Sequence, residues 1–400
     1  MNYNQVIKYL NNREKFGIKL GLKNIRLLLK KVGSPHKKIK CIHVAGTNGK
    51  GSCCAMISSV LQEAGYKVGM YTSPHLKRFN ERIKINNKEI SNKDVVKYFL
   101  KTKPHITTQT YFEVVTAIAF LYFNEKKVDF LVLEVGMGGR LDATNVVNPL
   151  VSLITTISLE HTEYLGNSLL KIAKEKAGII KKNSIVVTGT NGNVFNLIKK
   201  IARKRKAKLV RAKKVKKLNG KFNINGYKKL ELDLIGDFQL QNASNSIAVI
   251  EALRDYSIKI DKKKIKKGLK KARWQGRMQF LEKNVLVDCA HNPAGIDVLI
   301  KEVKKLNYKN LILVMGILKD KDIKEMVKKI VPVADKIIIA KPKTERAAEP
   351  SIIEKEFVKY NKHCEIIKDV KKALSHAKKN KGKNDLILVT GSIYTVGEVV

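Results

Sequence analysis

A two-domain α/β fold built on a largely parallel sheet is predicted by three observations. Short apolar runs alternate with amphipathic helical patterns along most of the chain. A glycine-rich turn joins one such run to a helix at residues 46–52. The 400 residues also exceed what one core of ordinary size holds. The expected division is a P-loop-containing parallel-sheet domain with a small antiparallel element at residues 1–275, followed by a smaller Rossmann-like α/β domain at 276–400.

The elements follow in order. Residues 39–45 read as a strand, 52–64 as a helix and 68–72 as the next strand. Helical spacing covers 112–124, and FLVLEV at 130–135 is a continuous apolar run of the kind central parallel strands show. Residues 151–155 and 184–188 repeat that signal. Between 209 and 234 the pattern changes: KFNINGYKKLELDL alternates polar and apolar residues around Asn-Gly turns, which predicts an antiparallel hairpin element. A helix is expected over 242–255, and the segment 262–278 carries the only tryptophan, Trp274. A strand at 285–288 is expected to open the second domain, with further strands at 311–315, 336–340 and 386–390.

Composition narrows the class. A hydrophobic content of 44% suits a chain with a sizeable interior, and no apolar run reaches the roughly 20 residues that cross a bilayer. Residues 1–40 mix charges throughout, unlike a secretory signal, so a cytoplasmic protein without membrane contact is expected. The five cysteines (Cys41, Cys53, Cys54, Cys289, Cys364) form no CxxC pair, which argues against a disulfide framework or a zinc site. Lys and Arg number 80 against 35 Asp and Glu, a net charge of +45 that suggests nucleic acid. The densest basic run, KKIARKRKAKLVRAKKVKK, has no interleaved aromatics for base stacking, so a solvated basic face is the expectation and no nucleic acid is required.

Chemistry enters at the glycine turn. The strand IKCIHVA runs into Gly46-Thr47-Asn48-Gly49-Lys50-Gly51-Ser52 and then a helix, the context in which backbone N–H groups and a helix N-terminus cradle phosphate. Lys50 is placed to reach β- and γ-phosphates, and the Ser52 hydroxyl to take a Mg²⁺ position. The spacing departs from the ordinary Walker A pattern, because Gly51 follows the lysine directly. Glu134 falls at the C-terminal end of a predicted central strand, where open α/β sheets bind ligands; it reads as a metal ligand or as half of a buried ion pair.

The run HVAGTNGKGS resembles the phosphate loop of the folylpolyglutamate synthase/dihydrofolate synthase branch of the Mur ligase superfamily. Further segments resemble that family in the same order: YTSPHLKRFNERI, TYFE, LEVGMGGRLDATNV, ISLEHTEYLGNSLLKIAKEKAGII, DFQLQN, WQGRM, VDCAHNPAG, MGILKDKD and GSIYTVGEV. The resemblance implies an ATP-dependent ligase that forms an acyl phosphate on a carboxylate and passes it to the amine of L-glutamate, with dihydropteroate or folates as acceptors. It implies Thr47, Asn48, Gly49, Lys50, Gly51, Ser52, Asn242, Arg277, Asp288 and His291 as nucleotide contacts, and Ser73, Pro74, His75, Arg82, Glu113 and Glu160 on the substrate side. Ser52, Glu134 and His161 become the Mg²⁺ set, and Lys50, Lys176 and His291 the catalytic residues. Asn242 reads as a nucleotide contact, a helix cap, or both, and His291 as a base or a nucleotide contact. In the family the lysine matching Lys176 is carbamylated by CO₂, which requires a neutral amine and hence a lowered pKa. Glu160 stands where the family usually has Asp, a change expected to touch dihydropteroate more than polyglutamate extension. Sites divided between two domains imply closure on ATP. Family members are commonly monomers, and a monomer is expected here. The competing readings are a Mur-type ligase for another acceptor, a nucleic-acid-stimulated NTPase, and a ligase-like chain without activity.

Overall fold

The computed structural model describes residues 1–14, 17, 19–218, 220–224 and 226–400. The chain forms two compact units, one of Met1–Asp233 with Gln239–Arg273, the other of Leu234–Phe238 with Trp274–Val400.

The first unit is organised by an eight-stranded sheet. Its strands are β1 (Cys41–Ala45), β2 (Val68–Tyr71), β3 (Ile83–Ile85), β4 (Lys88–Glu89), β5 (Phe130–Glu134), β6 (Val151–Ile154), β7 (Ile185–Thr188) and β8 (Lys208–Arg211), in the spatial order β4-β3-β2-β5-β1-β6-β7-β8. In that order every pairing from β2 to β8 is parallel, and β3 pairs antiparallel with both β2 and β4. The apolar runs CIHVA, FLVLE, VSLI and IVVT are buried at every position. Such runs suit strands covered on both faces. Helices Lys50–Glu63 and Tyr111–Glu125 are buried along most of their length, so they too carry little amphipathic contrast. Three short antiparallel strands, β9 (Lys216–Leu218), β10 (Lys221–Ile224) and β11 (Tyr227–Leu230), form the separate small sheet predicted in this region. Asn219 and Asn225, the asparagines of its Asn-Gly turns, lie outside the described residues.

The second unit holds a six-stranded sheet of β12 (Gln279–Glu282), β13 (Val285–Val287), β14 (Leu311–Met315), β15 (Lys336–Ile339), β16 (Glu365–Ile366) and β17 (Leu386–Thr390), ordered β12-β13-β17-β14-β15-β16. All pairings are parallel except β12 with β13. Leu286, Leu313, Ile339 and Leu388 centre its core. The α/β class read from the sequence holds in both units.

Three corrections follow. The strand expected to open the second sheet is its second one: β12 precedes it as a half-exposed antiparallel edge, whose sequence QFLE lacks an apolar run. Asn242 is not a helix cap, because it lies inside the helix Phe238–Ala252, which begins four residues earlier than its pattern indicated. Helices Tyr3–Asn11 and Lys23–Lys31 were not anticipated, although Asn2 and Gln5 form a reciprocal capping box at the first.

Candidate active site

The site is built where β1 ends. The helix that follows starts at Lys50 with Gly49 as its N-cap and no side-chain cap, so its first amides are not satisfied by a capping side chain. Two glycines are sterically required. Gly46 has φ +153°, and a Cβ there would lie 1.8 Å from Thr155 Oγ1; Gly49 has φ +85°, and its Cβ would lie 2.5 Å from Asn242 Oδ1. The loop is fastened to the segment after β6. Thr47 N donates to Thr156 O at 2.7 Å, and the Asn48 carbonyl accepts from Thr155 Oγ1 at 2.8 Å and from Thr156 Oγ1 at 3.0 Å. Lys50 Nζ donates to Gly46 O at 3.0 Å and to Thr47 O at 2.9 Å. An ammonium has three donors, so this arrangement holds the charge in the loop with one N–H left over.

Lys176 reaches the same carbonyl. Its Nζ donates to Gly46 O at 2.8 Å, and the residue is 3% exposed. Burial and then the charge of Lys50 lower its amine to about 7, while Glu160 and Asp142 pull the other way. A large fraction of the amine is therefore neutral near pH 7.

Glu134 ends β5, with Val44 opposite it in register, and is 4% exposed; its Oε2 accepts from Ser73 N at 3.0 Å. Burial holds the thiols of Cys53 and Cys54 protonated, and the Glu134 charge adds to the effect. Ser52 Oγ accepts from Gln239 Nε2 at 3.3 Å, and Gln239 Oε1 accepts from Asn242 Nδ2 at 2.8 Å. Gln239 thus ties the phosphate loop to Asn242. Its sequence signals are its place in the DFQLQN segment and the one-turn spacing to Asn242 on a helix.

His161 adopts left-handed φ of 50° before the short helix Thr162–Leu165, with Nε2 3.9 Å from Glu160 Oε1. Among the described residues no three His, Cys, Asp or Glu side chains gather as a metal site. Ser52, Glu134 and His161, the expected cation set, would offer two oxygens and one imidazole to a hard cation such as Mg²⁺.

On the expected substrate side, the Ser73–Pro74 peptide bond is cis. Arg82 Nε donates to His75 Nδ1 at 2.8 Å and its guanidinium lies 5.4 Å from the Tyr111 ring centroid. Burial, then Arg82, lower His75 to about 3, so the ring is neutral with its proton on Nε2. Glu113 is engaged locally: it accepts from Thr110 N at 2.8 Å in the capping box of helix Tyr111–Glu125. Asp142, unassigned from the sequence, is buried and accepts from Met137 N at 2.8 Å and from both Thr144 N and Thr144 Oγ1; Thr144 in turn faces His43 Nε2 at 2.8 Å.

In the second unit, Asp288 follows β13 directly. Its carboxylate accepts from Met278 N at 2.9 Å and Ala290 N at 2.8 Å, with Arg277 Nη1 4.0 Å away. Burial raises the Asp288 pKa, and Arg277 opposes this. His291 Nδ1 lies 2.9 Å from the Cys289 carbonyl, which only accepts, so Nδ1 carries a proton.

Both units match parts of one ligase family. The Mur ligase middle domain matches residues 44–250, and the Mur ligase glutamate ligase domain matches residues 276–393. A dihydrofolate synthase/folylpolyglutamate synthase of Bacillus subtilis is 36% identical, over 99% of this chain and 98% of that protein. The chain belongs to the dihydrofolate synthase/folylpolyglutamate synthase family of Mur ligases. Its structure is similar to that of E. coli FolC in complex with DHPP and ADP, with a TM-score of 0.90 and 30% identity over 98% of this chain and 96% of that one. A bifunctional folylpolyglutamate synthase/dihydrofolate synthase of Yersinia pestis, complexed with AMPPNP and Mn, has a TM-score of 0.90 and 30% identity over 100% of this chain and 97% of that one.

Proposed function

We propose that this ligase joins L-glutamate to dihydropteroate and to reduced folates bearing γ-glutamyl chains, consuming ATP and releasing ADP and phosphate. The observation that carries this reading is the convergence of Lys50 and the buried amine of Lys176 on the Gly46 carbonyl, beside an uncapped helix N-terminus. That arrangement fits a nucleotide triphosphate, because the amides at the uncapped helix start and the remaining Lys50 donor suit phosphate oxygen.

The chemistry has two displacements. The acceptor's carboxylate attacks the γ-phosphorus of ATP, forming an acyl phosphate and expelling ADP. The neutral amine of glutamate then attacks the acyl carbon, and phosphate leaves as the amide forms. Lys50 and the loop amides bear the charge that builds on the phosphoryl oxygens in the first step. Gln239 holds Ser52 and Asn242 in place for the nucleotide. Ser52, Glu134 and His161 are the residues to hold a divalent cation, which when bound neutralises phosphate charge. Arg277, Asp288 and His291 are assigned to the nucleotide, with Nε2 of His291 also suited to take a proton from the incoming amine. His75, neutral with an N–H at Nε2, is a donor for the acceptor substrate. Lys176, with its lowered pKa, is a candidate for carbamylation by CO₂, which would replace a cation with an anion near Gly46.

The test is ADP formation with Mg²⁺ and L-glutamate, with dihydropteroate and tetrahydrofolate supplied separately and product masses read for one added glutamate. Turnover with both acceptors is expected, with the slower rate on dihydropteroate because Glu160 is one methylene longer than the usual Asp. Turnover with neither would overturn the assignment of acceptor.

A further inference from the structure

A second cationic concavity lies away from the phosphate loop, within the first unit. It is a cavity of about 540 Å³ lined by Arg26, Arg140, Lys181, Lys182 and Arg205, and no Asp or Glu is among its lining residues. Its position follows from chain direction. Pro149 lies just before β6, and Asn183 and Ser184 just before β7, so these lining residues mark the amino-terminal ends of parallel strands. The phosphate loop follows the carboxyl end of β1, which pairs with β6 in parallel. Four-residue strands separate the two edges by roughly 13 Å at 3.3 Å per residue. Ligands of open parallel sheets ordinarily bind at the carboxyl edge, so this cavity is not an extension of the usual site.

Basic surface is ordinary in a chain of net charge +45. Elsewhere in this unit, however, scarce carboxylates are matched to cations: Glu125 serves Lys97 and Lys101, Glu63 serves Lys267 and Lys271, and Asp255 serves Lys208. In the cavity only Arg140 has such a partner, Glu175 at 3.0 Å. Among the described residues the side chains of Arg26, Lys182 and Arg205 form no ion pair. Arg205 caps the C-terminus of helix Gly192–Lys204, where a cation complements the helix dipole. That accounts for one charge of the five. Lys181 is held in place by a hydrogen bond from Nζ to Asn145 O at 2.9 Å. Burial, with repulsion from Arg26 and Arg205, lowers its amine to about 8. These cations repel one another around a space that admits a small molecule, and a multivalent anion is the group that relieves the repulsion.

We propose that this cavity at the amino-terminal edge of the sheet is a second anion site, which takes a small polyanion bearing two or more phosphates or carboxylates. It is independent of the ligase chemistry assigned above. The probes are tripolyphosphate and γ-linked triglutamate, titrated by calorimetry into the full-length protein in metal-free buffer at low and high salt. Wild type is compared with the Arg26→Ala/Arg205→Ala double variant, with Lys182→Glu, and with Lys50→Ala in the phosphate loop. Thermal melting serves as the folding check, so that either cavity variant suffices if the other is unstable. Saturable binding is expected that persists as a 1:1 site in Lys50→Ala, weakens with salt, and is weakened at least tenfold at that site by both cavity variants. Stronger binding of tripolyphosphate assigns the site to phosphate esters, and of triglutamate to carboxylates. No saturable binding, or binding lost in Lys50→Ala and unchanged in the cavity variants, overturns the proposal.

Discussion

The two edges of the eight-stranded sheet treat their cations differently. At the carboxyl edge, Lys50 and Lys176 are locked onto backbone carbonyls of one loop, and the carboxylates Glu134, Glu160 and Asp142 are close enough to influence the buried groups there. At the amino edge, Arg26, Lys181, Lys182 and Arg205 face a common space with no carboxylate lining it. Positive charge alone therefore does not mark a reaction centre in a chain of net charge +45. The carboxyl edge is distinguished by the convergence of two lysines on one loop carbonyl beside a helix N-terminus, an arrangement that lets a group act on a particular atom. The amino edge fixes Lys181 on Asn145 O but gathers Arg26, Lys182 and Arg205 without ion pairs, among the described residues, around a common space, which suits binding.

The sharpest break between the edges is Lys50→Ala. ADP formation in the presence of both substrates is expected to fall on the order of 10³-fold, since a preorganised cation at the phosphoryl group is lost. A loss under tenfold would remove Lys50 from the catalytic set.

Lys176→Met comes next, with glutamate addition expected to drop on the order of 10²-fold and a separate signature in stability. The folded amine titrates at about 7 and the ordinary lysine value is 10.5. Between those values the unfolded chain binds the extra proton, so this group makes stability rise as pH rises from about 7, by at most about 1.4 kcal/mol per unit. Below 7 the cost of burying the charged amine is fully present. Denaturant unfolding at pH 7 and pH 9 should show wild type gaining on Lys176→Met by about 2 kcal/mol. A constant difference between the two proteins would show that the amine is not held at a lowered pKa.

Gly49→Ala forces an alanine into φ +85° with its Cβ 2.5 Å from Asn242 Oδ1. A stability loss of about 1–3 kcal/mol is expected by denaturant unfolding, with a raised KM for ATP. The smallest effect belongs to the amino edge: Arg205→Ala should leave the ligation rate within about twofold and cost about 0.3–1 kcal/mol of stability, the worth of a cation at a helix C-terminus. A large fall in activity would tie that edge to catalysis and collapse the distinction.

Much of this was legible locally. The run FLVLEV is apolar because β5 is covered on both faces, and its terminal Glu134 stands out for that reason. The loop HVAGTNGKGS reads directly, because steric demands at Gly46 and Gly49 and the helix start at Lys50 all fall within a few residues. Strand β12 was missed because an edge strand with alternating exposure carries no apolar run. The start of helix Phe238–Ala252 was misplaced, and with it the role of Asn242, because a buried helix with polar residues facing the loop lacks the usual contrast between faces.

What no local pattern contains is the meeting of distant side chains. Gln239 meets Ser52 across 187 positions, Lys176 meets Gly46 across 130, and the pKa of that amine depends on burial that exists only once the sheet is assembled. The cationic cavity draws on residues from Leu22 to Tyr256, and its five lysines and arginines do not stand out in a lysine-rich sequence. Strand, turn and loop are short-range consequences of side-chain shape and polarity, readable within about ten residues. Electrostatic environment is a sum over neighbours in space, so it is set by packing and crossover connections.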